Sequence, residues 1–550
     1  MEVSTAWVKP PPQVGGLDHL AVQAPCINIY GRLLPGITNV TDRARYYSFY
    51  PWLICAFDQR GFTTYNDEFI ERFRRADCLF TLIAERHAAL SMGDHEDHAG
   101  AMVGSNTLAA VARDLADGAS IKLSDYSLRQ GAKARYFKNK LGGLGQYYLG
   151  VLRELSILDG DTANGVKYTR QVGQAMAEHL EAGFNSGLFL AAVEADSVSR
   201  TELDALSSLC PCRLAENAGE QEILTSLFFV RDTFYDVEAL PRRRTLQTIL
   251  QLSSLLRDQN HELSELTFRA CAYSDSLPDG TRWPTPETLV GNRAKWTAYA
   301  RNEYLSIATQ GLFFAVLDGY QEAGLRFDSS AQIADWFLEQ KEVGNALAEI
   351  GADQTFTSSV AGAKSWLPDL SEWTNSIHEV QLVERIAQLS RQPKSAENRR
   401  DIISASLRTL IALAQRSETE DKVYGDLVFD EGYFRSYPIN LQSFGFHRTN
   451  TWSVLTMREA LRWLLVHWGM EVHLRVALRK LRGQSQSTFR IRPSDRGLEV
   501  IDVPRAVHTR PRFNQAIRIL KDIGALERDD SGQWHPSDLG RSIVELGDAA

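Results

Sequence analysis

The sequence predicts a mainly α-helical, multi-domain protein that contains two small α+β modules. Between residues 188 and 415, apolar residues recur at helical spacing with short polar joints, and no βαβ alternation is present. Two distant segments, 147–180 and 512–546, share the order of a helix, a short hairpin and a second helix. Because 550 residues exceed what one core usually holds, we expect several domains.

These patterns divide the chain into four predicted domains. They are a mostly helical N-terminal domain (1–100), a first module (101–190), a central helical domain (191–430) and a basic C-terminal module (431–550). In the first domain, the segment ARYYSFYPWLICAF follows capping residues and predicts a helix, and 69–91 predicts another. Further helices are expected over 220–234, 243–257, 263–274, 294–320, 330–347, 380–389, 396–415 and 457–482.

The two modules follow one plan. Each begins with apolar residues at helical spacing, continues through a turn rich in Asp and Gly, and returns as a short strand. A hydroxyl residue then precedes a second helix with a glycine near its start. In the first module these positions are Leu149, Leu152, Leu155, Thr169 and Gly173, and in the second they are Ile517, Leu520, Ile523, Ser537 and Gly540.

This order resembles the back half of a winged-helix domain, over about 120–185 and 485–546. The resemblance implies a helix that reads the DNA major groove and a wing that follows the phosphate backbone. The residues that would contact DNA are Arg510, Arg512, Asn514, Gln515 and Arg518 on the helix, Arg528 on the wing, and Arg490, Arg492 and Arg496 before them. Alternatively, the winged units dock partner proteins, since Asp529 and Asp530 in the wing would repel phosphate.

Positive charge is concentrated beside both modules. Residues 475–521 contain twelve basic and three acidic side chains, a local charge of +9, whereas the whole chain has −9. Residues 122–140, before the first module, have a local charge of +5. A solvated basic face explains each run separately, but their position beside the same motif favours a nucleic-acid partner.

The segment TDRARYYSFYPW interleaves arginine with aromatic residues. Such a pattern can hold single-stranded nucleic acid by stacking on the rings. More often it forms a core helix, with tyrosines bonded internally and arginines bridged to carboxylates. We favour the core interpretation for this segment.

No metal or catalytic centre is predicted. The loop from Asp94 to His98, with His87 nearby, places metal-capable side chains consecutively, which is poor ligand geometry, and we interpret it as a solvated acidic loop. The Cys210-Pro211-Cys212 pair lacks the CxxC spacing of a redox or zinc motif. Asp328 with Glu339 and Lys341 fits the letters of a nuclease motif but in a helical context. We therefore expect no catalytic residue, no metal and no cofactor.

The function we predict is that of a DNA-binding, non-catalytic subunit of a larger bacterial assembly, with duplex DNA and proteins as partners. The alternatives are a protein–protein scaffold whose winged-helix units dock partner subunits and a cryptic nuclease, and the sequence does not identify a small-molecule ligand. The full-length pattern, including GRLLPGITNVTDRARYYSFYPW, resembles uncharacterised bacterial proteins, and we expect a place in a phage-defence or mobile-element cluster. Scattered cysteines and the absence of an eighteen-residue apolar run or a secretory signal predict a cytoplasmic protein without membrane contact.

Overall fold

The computed structural model describes residues 18–62, 65–91, 94–416, 437–481 and 488–545. Within these ranges the chain is mainly helical, and its strands form four two-stranded antiparallel sheets. The predicted mainly-α class is therefore confirmed.

The helices and strands are numbered along the chain. The α-helices are α1 (Gln23–Leu33), α2 (Tyr46–Gln59), α3 (Asp67–Leu90), α4 (His95–His98), α5 (Ser105–Arg113), α6 (Ser124–Ser127), α7 (Leu149–Glu154), α8 (Gly173–Glu181), α9 (Ser186–Ala195), α10 (Arg200–Ala205), α11 (Ala218–Phe228), α12 (Leu240–Asp258), α13 (Glu265–Ser274), α14 (Glu287–Ala323), α15 (Ser330–Leu338), α16 (Lys341–Ala348), α17 (Phe356–Gly362), α18 (Glu379–Leu389), α19 (Ala396–Gln415), α20 (Leu441–Asn450), α21 (Met457–Trp463), α22 (Val472–Leu481), α23 (Phe513–Asp522) and α24 (Asp538–Val544). The strands are β1 (Ser120–Lys122), β2 (Leu158–Asp161), β3 (Gly165–Tyr168), β4 (Ser197–Ser199), β5 (Ile491–Ser494), β6 (Gly497–Val500), β7 (Leu526–Arg528) and β8 (Trp534–Pro536). The paired strands are β1 with β4, β2 with β3, β5 with β6, and β7 with β8.

The chain forms two compact units, each built from two separate segments. The first unit comprises 1–31 and 266–511, and the second comprises 32–265 and 512–550. This division differs from the four consecutive domains predicted above, and its boundary at 511/512 cuts through the predicted C-terminal module. The reason is that α23 finds its polar partners in residues 34–44 and 96–97, which are distant in sequence.

The first unit is organised around the long helix α14, which is buried on most of its surface. Glu303, on this helix, is fully buried and accepts hydrogen bonds from the backbone N–H of Thr509 at 2.6 Å and from its hydroxyl at 2.7 Å. His508 lies 3.1 Å from the same carboxylate and 3.1 Å from Glu384. These contacts fix the segment that precedes residue 511 to the core of the first unit.

Both helix–hairpin–helix repeats lie in the second unit and match each other in element order. The first repeat consists of α7, β2, β3 and α8, and the second consists of α23, β7, β8 and α24. Ile157 N–H donates to the carbonyl of Leu152 at 2.8 Å, and Ala525 N–H donates to that of Leu520 at the same distance. The repeated helix–hairpin–helix order is therefore present, while the winged-helix resemblance stays a prediction.

The hydroxyl residue after each hairpin has the same partners in both repeats. The Thr169 hydroxyl donates to the carbonyl of Ser156 at 2.7 Å, and the Ser537 hydroxyl donates to that of Gly524 at 2.7 Å. Each hydroxyl oxygen also accepts an N–H from the glycine that follows it, at 2.9 Å in the first repeat and 3.1 Å in the second. The hydroxyl thus connects the turn after the first helix to the start of the second helix.

Those glycines are required because a carbonyl oxygen lies against them. A Cβ atom at Gly173 would lie 2.3 Å from the Ile157 carbonyl oxygen, and one at Gly540 would lie 2.1 Å from that of Ala525. We expect Gly173→Ala and Gly540→Ala each to lower the free energy of unfolding by about 1–3 kcal/mol, because backbone must shift. Gly150 in α7 is the matched control, since no atom lies within 4 Å of its added Cβ.

Urea unfolding of the three variants checks this expectation. Gly150→Ala should leave stability unchanged or raise it by up to about 1 kcal/mol, because alanine favours helix. Equal stability of all three alanine variants would show that the carbonyl contact has no energetic role.

Residues 34–44, here called the strap, are bound by both repeats. At the end of α7, the Glu154 carboxylate accepts the N–H of Gly36 at 3.1 Å. At the equivalent end of α23, the Asp522 carboxylate accepts the N–H of Ala44 at 3.0 Å. Each repeat therefore contributes one carboxylate that satisfies a backbone donor of the strap.

The TDRARYYSFYPW segment lies in the core of the second unit. Its tyrosines and Trp52 on α2 are buried, and Arg43 and Arg45 form buried ion pairs with Asp522 and Glu220. The core interpretation, with arginines bridged to carboxylates, is confirmed. Helix α2 continues through Pro51, because the proline removes a single backbone donor from a helix that is otherwise held by burial.

Candidate metal centre

Four metal-ligating side chains meet in the second unit. They are His87, His98, Cys210 and Cys212, whose ligand atoms all lie within 4.8 Å of one another. His87 is in the last turn of α3, and His98 is the final residue of α4. The two cysteines flank Pro211, where a short 3-10 helix begins. Three separate parts of the chain thus supply one cluster.

Four of the six separations between ligand atoms in the cluster lie close to those of a tetrahedral ligand set. The His87 and His98 Nδ1 atoms are 3.2 Å apart, and the Cys210 and Cys212 Sγ atoms are 3.4 Å apart. Mixed edges measure 3.3 Å from Cys212 to His87 and 3.8 Å from Cys210 to His98. With ordinary zinc bond lengths, a tetrahedral site has edges of about 3.3 Å between nitrogens and about 3.8 Å between sulfurs. The side chains are therefore close enough together to hold one metal ion.

The two thiols of the cluster have pKa values shifted in opposite directions. Burial opposes ionisation of Cys210, but hydrogen bonds from Cys212, His87 and His98 outweigh it and hold its pKa well below the ordinary value of a thiol. The hydrogen bond to Cys210, together with burial, raises the pKa of Cys212. A divalent cation between two thiolates and two neutral imidazoles would give a centre without net charge, which lowers the cost of burying it.

The donor set fits zinc. Two thiolates and two imidazoles in a tetrahedron are typical of structural Zn²⁺ sites, in which four protein ligands leave no position for substrate. Cys212 is exposed while His98 and Cys210 are buried, so the centre lies at the rim of the unit. The ligands are then reachable by metal ions and by chelators from solvent.

The sequence interpretation did not bring these four side chains together, and its expectation of no metal stays untested. It treated the histidine loop and the Cys-Pro-Cys pair separately, although the fold brings them together. Only His98 of the loop joins the cluster: His95 Nε2 lies 2.9 Å from Glu85, and Asp97 pairs with Lys521. The usable signal was the one closely spaced cysteine pair combined with two histidines eleven residues apart.

Three of the residues predicted to contact DNA instead contact residues of their own unit. Arg512 donates to the Leu34 carbonyl at 2.9 Å, and Gln515 donates to Asp42 at 3.0 Å. Arg518 bridges Asp42 at 2.5 Å and Glu96 at 3.0 Å. The side of α23 that was predicted to read bases thus faces the strap and nearby carboxylates. These partners could not be recognised from the sequence because they lie far away along the chain.

The other predicted DNA contacts are divided between the two units. In the second unit, Asn514 and Arg528 are exposed, and the Arg528 guanidinium lies 4.3 Å above the Trp534 ring. In the first unit, Arg510 is exposed, as are Arg492 and Arg496 on the β5–β6 hairpin. Arg490 pairs with Asp502 at 3.0 Å. The predicted set is therefore divided between the two units, and its contacts with DNA stay a prediction.

The residues that match a nuclease motif, Glu339 and Lys341, lie in a helical part of the chain, as predicted. Glu339 follows α15 and pairs with Arg458 at 2.5 Å, and Lys341 begins α16. The predicted single helix over 330–347 is two helices, which are separated at Glu339 and Gln340. A strand-borne carboxylate pair, which nuclease chemistry usually needs, is not formed by these residues.

Comparison with known proteins adds no family to these observations. No protein-family model matches the chain, and no similar curated protein or solved structure was found. Among the described helices, none combines the length and apolar content needed to cross a membrane.

Proposed function

We propose that this chain is a zinc-dependent scaffold, in which His87, His98, Cys210 and Cys212 bind one structural Zn²⁺. The observation that supports the proposal is the clustering of two imidazoles and two thiols, whose ligand atoms all lie within 4.8 Å of one another, with four pairs at 3.2–3.8 Å. Cysteine thiolates disfavour magnesium and calcium, which take oxygen ligands, and the tetrahedral S₂N₂ set favours zinc.

The ion would serve as a cross-link. His98 and Cys210 are separated by more than a hundred residues, so a metal that joins them closes a long loop. The free energy of metal binding also adds to the stability of the folded state, because an unfolded chain rarely holds a preformed site. A closed ligand set supports a binding or assembly role for the chain rather than metal-assisted catalysis at this centre.

Cobalt substitution tests the proposal. After removal of bound metal, the full chain is titrated with Co²⁺, and the visible absorption of tetrahedral cobalt and its thiolate charge-transfer band are followed. We expect saturation at one equivalent and loss of both bands on adding Zn²⁺. Cys78→Ser is the matched control, since this thiol is buried in the same unit outside the cluster. Weak octahedral spectra, or bands that persist in a Cys210→Ser/Cys212→Ser variant, would refute the site.

DNA binding by a non-catalytic subunit is the second candidate. The observation that favours it is the exposed arginine pair Arg492 and Arg496 on the β5–β6 hairpin, in a basic part of the first unit. The carboxylates against α23 disfavour contact through that helix, so backbone phosphates are the expected targets. Membership of a bacterial defence assembly and docking of protein partners stay predictions of the sequence.

We expect the full chain to bind duplex DNA in a salt-dependent manner. If Arg492, Arg496 and Arg510 each neutralise one phosphate, the log–log slope of affinity against salt is about −3. Fluorescence anisotropy at several salt concentrations measures this slope. Arg492→Ala/Arg496→Ala should reduce its magnitude by about 2, whereas Arg113→Ala, an exposed arginine of the second unit, should not. Absence of binding at low salt would exclude this candidate.

A further inference from the structure

The backbone that presents His98 is held by one buried guanidinium. Arg43 donates to the carbonyl oxygens of Glu96 at 3.0 Å, Asp97 at 3.0 Å and Gly100 at 3.2 Å. These residues surround His98 on both sides along the chain. Because a guanidinium is planar and rigid, these three hydrogen bonds fix the position of this backbone segment. They therefore also fix the backbone position from which the His98 side chain extends.

The backbone that presents the two cysteines is held in the same way by a second guanidinium. Arg45 donates to the carbonyl oxygens of Ser208 at 2.7 Å, Cys210 at 2.6 Å and Arg213 at 3.4 Å. The Cys-Pro-Cys turn lies within this set. Arg43 and Arg45 are two residues apart in the sequence, yet they hold different ligand-bearing segments of the cluster.

Each guanidinium is itself oriented by a buried carboxylate. Asp522 accepts from Arg43 at 3.0 and 2.7 Å, and Glu220 accepts from Arg45 at distances between 2.6 and 3.2 Å. All four side chains have at most 3% of their surface exposed. The bidentate pairing leaves each arginine little freedom to rotate, so its remaining N–H groups point at the ligand-bearing backbone.

We infer that Arg43 and Arg45 are positioning residues of the metal centre, which between them set the places of three of its four ligands. Arg43 positions His98, and Arg45 positions Cys210 and Cys212. The inference rests on the proposed zinc site. Residues that orient metal ligands without contacting the ion typically change metal affinity about 10- to 100-fold when they are replaced.

A matched control separates this role from general stability. Arg74 in α3 is as buried as Arg43 and Arg45 and belongs to the same unit. It also donates to three backbone carbonyls, those of Ser127 at 2.5 Å, Phe137 at 2.8 Å and Asn139. None of these carbonyls belongs to a segment that carries a metal ligand. Arg74→Lys therefore removes a buried guanidinium and its hydrogen bonds to backbone carbonyls, while the segments bonded by that guanidinium carry no ligand of the cluster.

The test compares Arg43→Lys, Arg45→Lys and Arg74→Lys with the unaltered full chain. Lysine keeps the positive charge but cannot make the bidentate and carbonyl contacts together. Zinc affinity is measured by competition with a chromophoric chelator, and ligand geometry is measured by the visible spectrum of the Co²⁺ form. We expect about 10- to 100-fold weaker zinc binding and altered cobalt bands for Arg43→Lys and Arg45→Lys. Arg74→Lys should keep the affinity and spectrum of the unaltered chain.

The outcomes distinguish this inference from the proposed function. If the unaltered chain binds no metal, the zinc site itself is refuted. If it binds zinc, and all three lysine variants have equal affinity and spectra, the positioning role is refuted while the zinc site stands. Should a lysine variant not fold, Asp522→Asn and Glu220→Gln take its place, since they loosen the guanidinium but leave it present. Unchanged affinity in those variants would equally overturn the inference.

Discussion

Removal of the metal by a chelator is expected to accelerate hydrogen exchange about 1,000-fold at the most protected amides of the second unit. This follows if free zinc is kept about 1,000 times above its dissociation constant, because binding to the folded state then contributes about 4 kcal/mol. Amides of α3 should report the change, since this helix carries His87. Hydrogen exchange followed by mass spectrometry measures each helix separately.

The first unit provides the internal control for chelation. Its helix α14 carries none of the four ligands, so its exchange should stay constant when the chelator is added. Cys210→Ser/Cys212→Ser should exchange at the chelated rate whether or not zinc is present. If chelation leaves α3 as protected as before, zinc does not stabilise the second unit.

Replacing Asp522 by alanine is expected to lower the free energy of unfolding of the second unit by about 3–5 kcal/mol. The substitution leaves the buried Arg43 guanidinium without its counter-charge and the Ala44 N–H of the strap without its acceptor. Burial raises the pKa of Asp522, which reflects the cost of desolvating this carboxylate. Removing one partner therefore costs more free energy than the intact ion pair contributes to stability, because the remaining charge stays buried without a counter-charge.

Urea unfolding of Asp522→Ala and Asp114→Ala checks this expectation. Asp114 pairs with Arg113 at 2.9 Å, but both side chains are more than half exposed. Exposed pairs of this kind add little to stability, so Asp114→Ala should leave the free energy of unfolding nearly unchanged. Similar effects of the two variants would mean that the buried pair does not anchor α23 to the strap.

Local sequence patterns predicted much of the secondary structure. The predicted helix over 396–415 is α19 with the same bounds, and 380–389 corresponds to α18. The two hairpins were recognisable because their turns contain Asp and Gly and because a hydroxyl residue and a glycine follow at similar distances. These features are encoded within about thirty-five residues, and side-chain periodicity and turn chemistry act over that range.

The candidate metal centre and the partners of α23 could not be found in this way. The four side chains of the centre come from three separate parts of the chain, and nothing in the intervening residues indicates that they meet. Likewise, the basic side chains of α23 look solvent-directed until the strap is placed against them, and Arg518 then faces Asp42 and Glu96. Charge counted along the chain describes an exposed face only if the fold leaves that face uncovered.

The metal content of the purified full chain tests the zinc site most directly. The chain is expressed with zinc in the medium, purified without chelators, and measured by inductively coupled plasma mass spectrometry beside the Cys210→Ser/Cys212→Ser and Cys78→Ser variants. We expect one zinc per chain in the unaltered protein and in Cys78→Ser, and none in the double variant. Zinc well below one equivalent in the unaltered protein, or an equal content in all three, would show that the four residues do not form a zinc site.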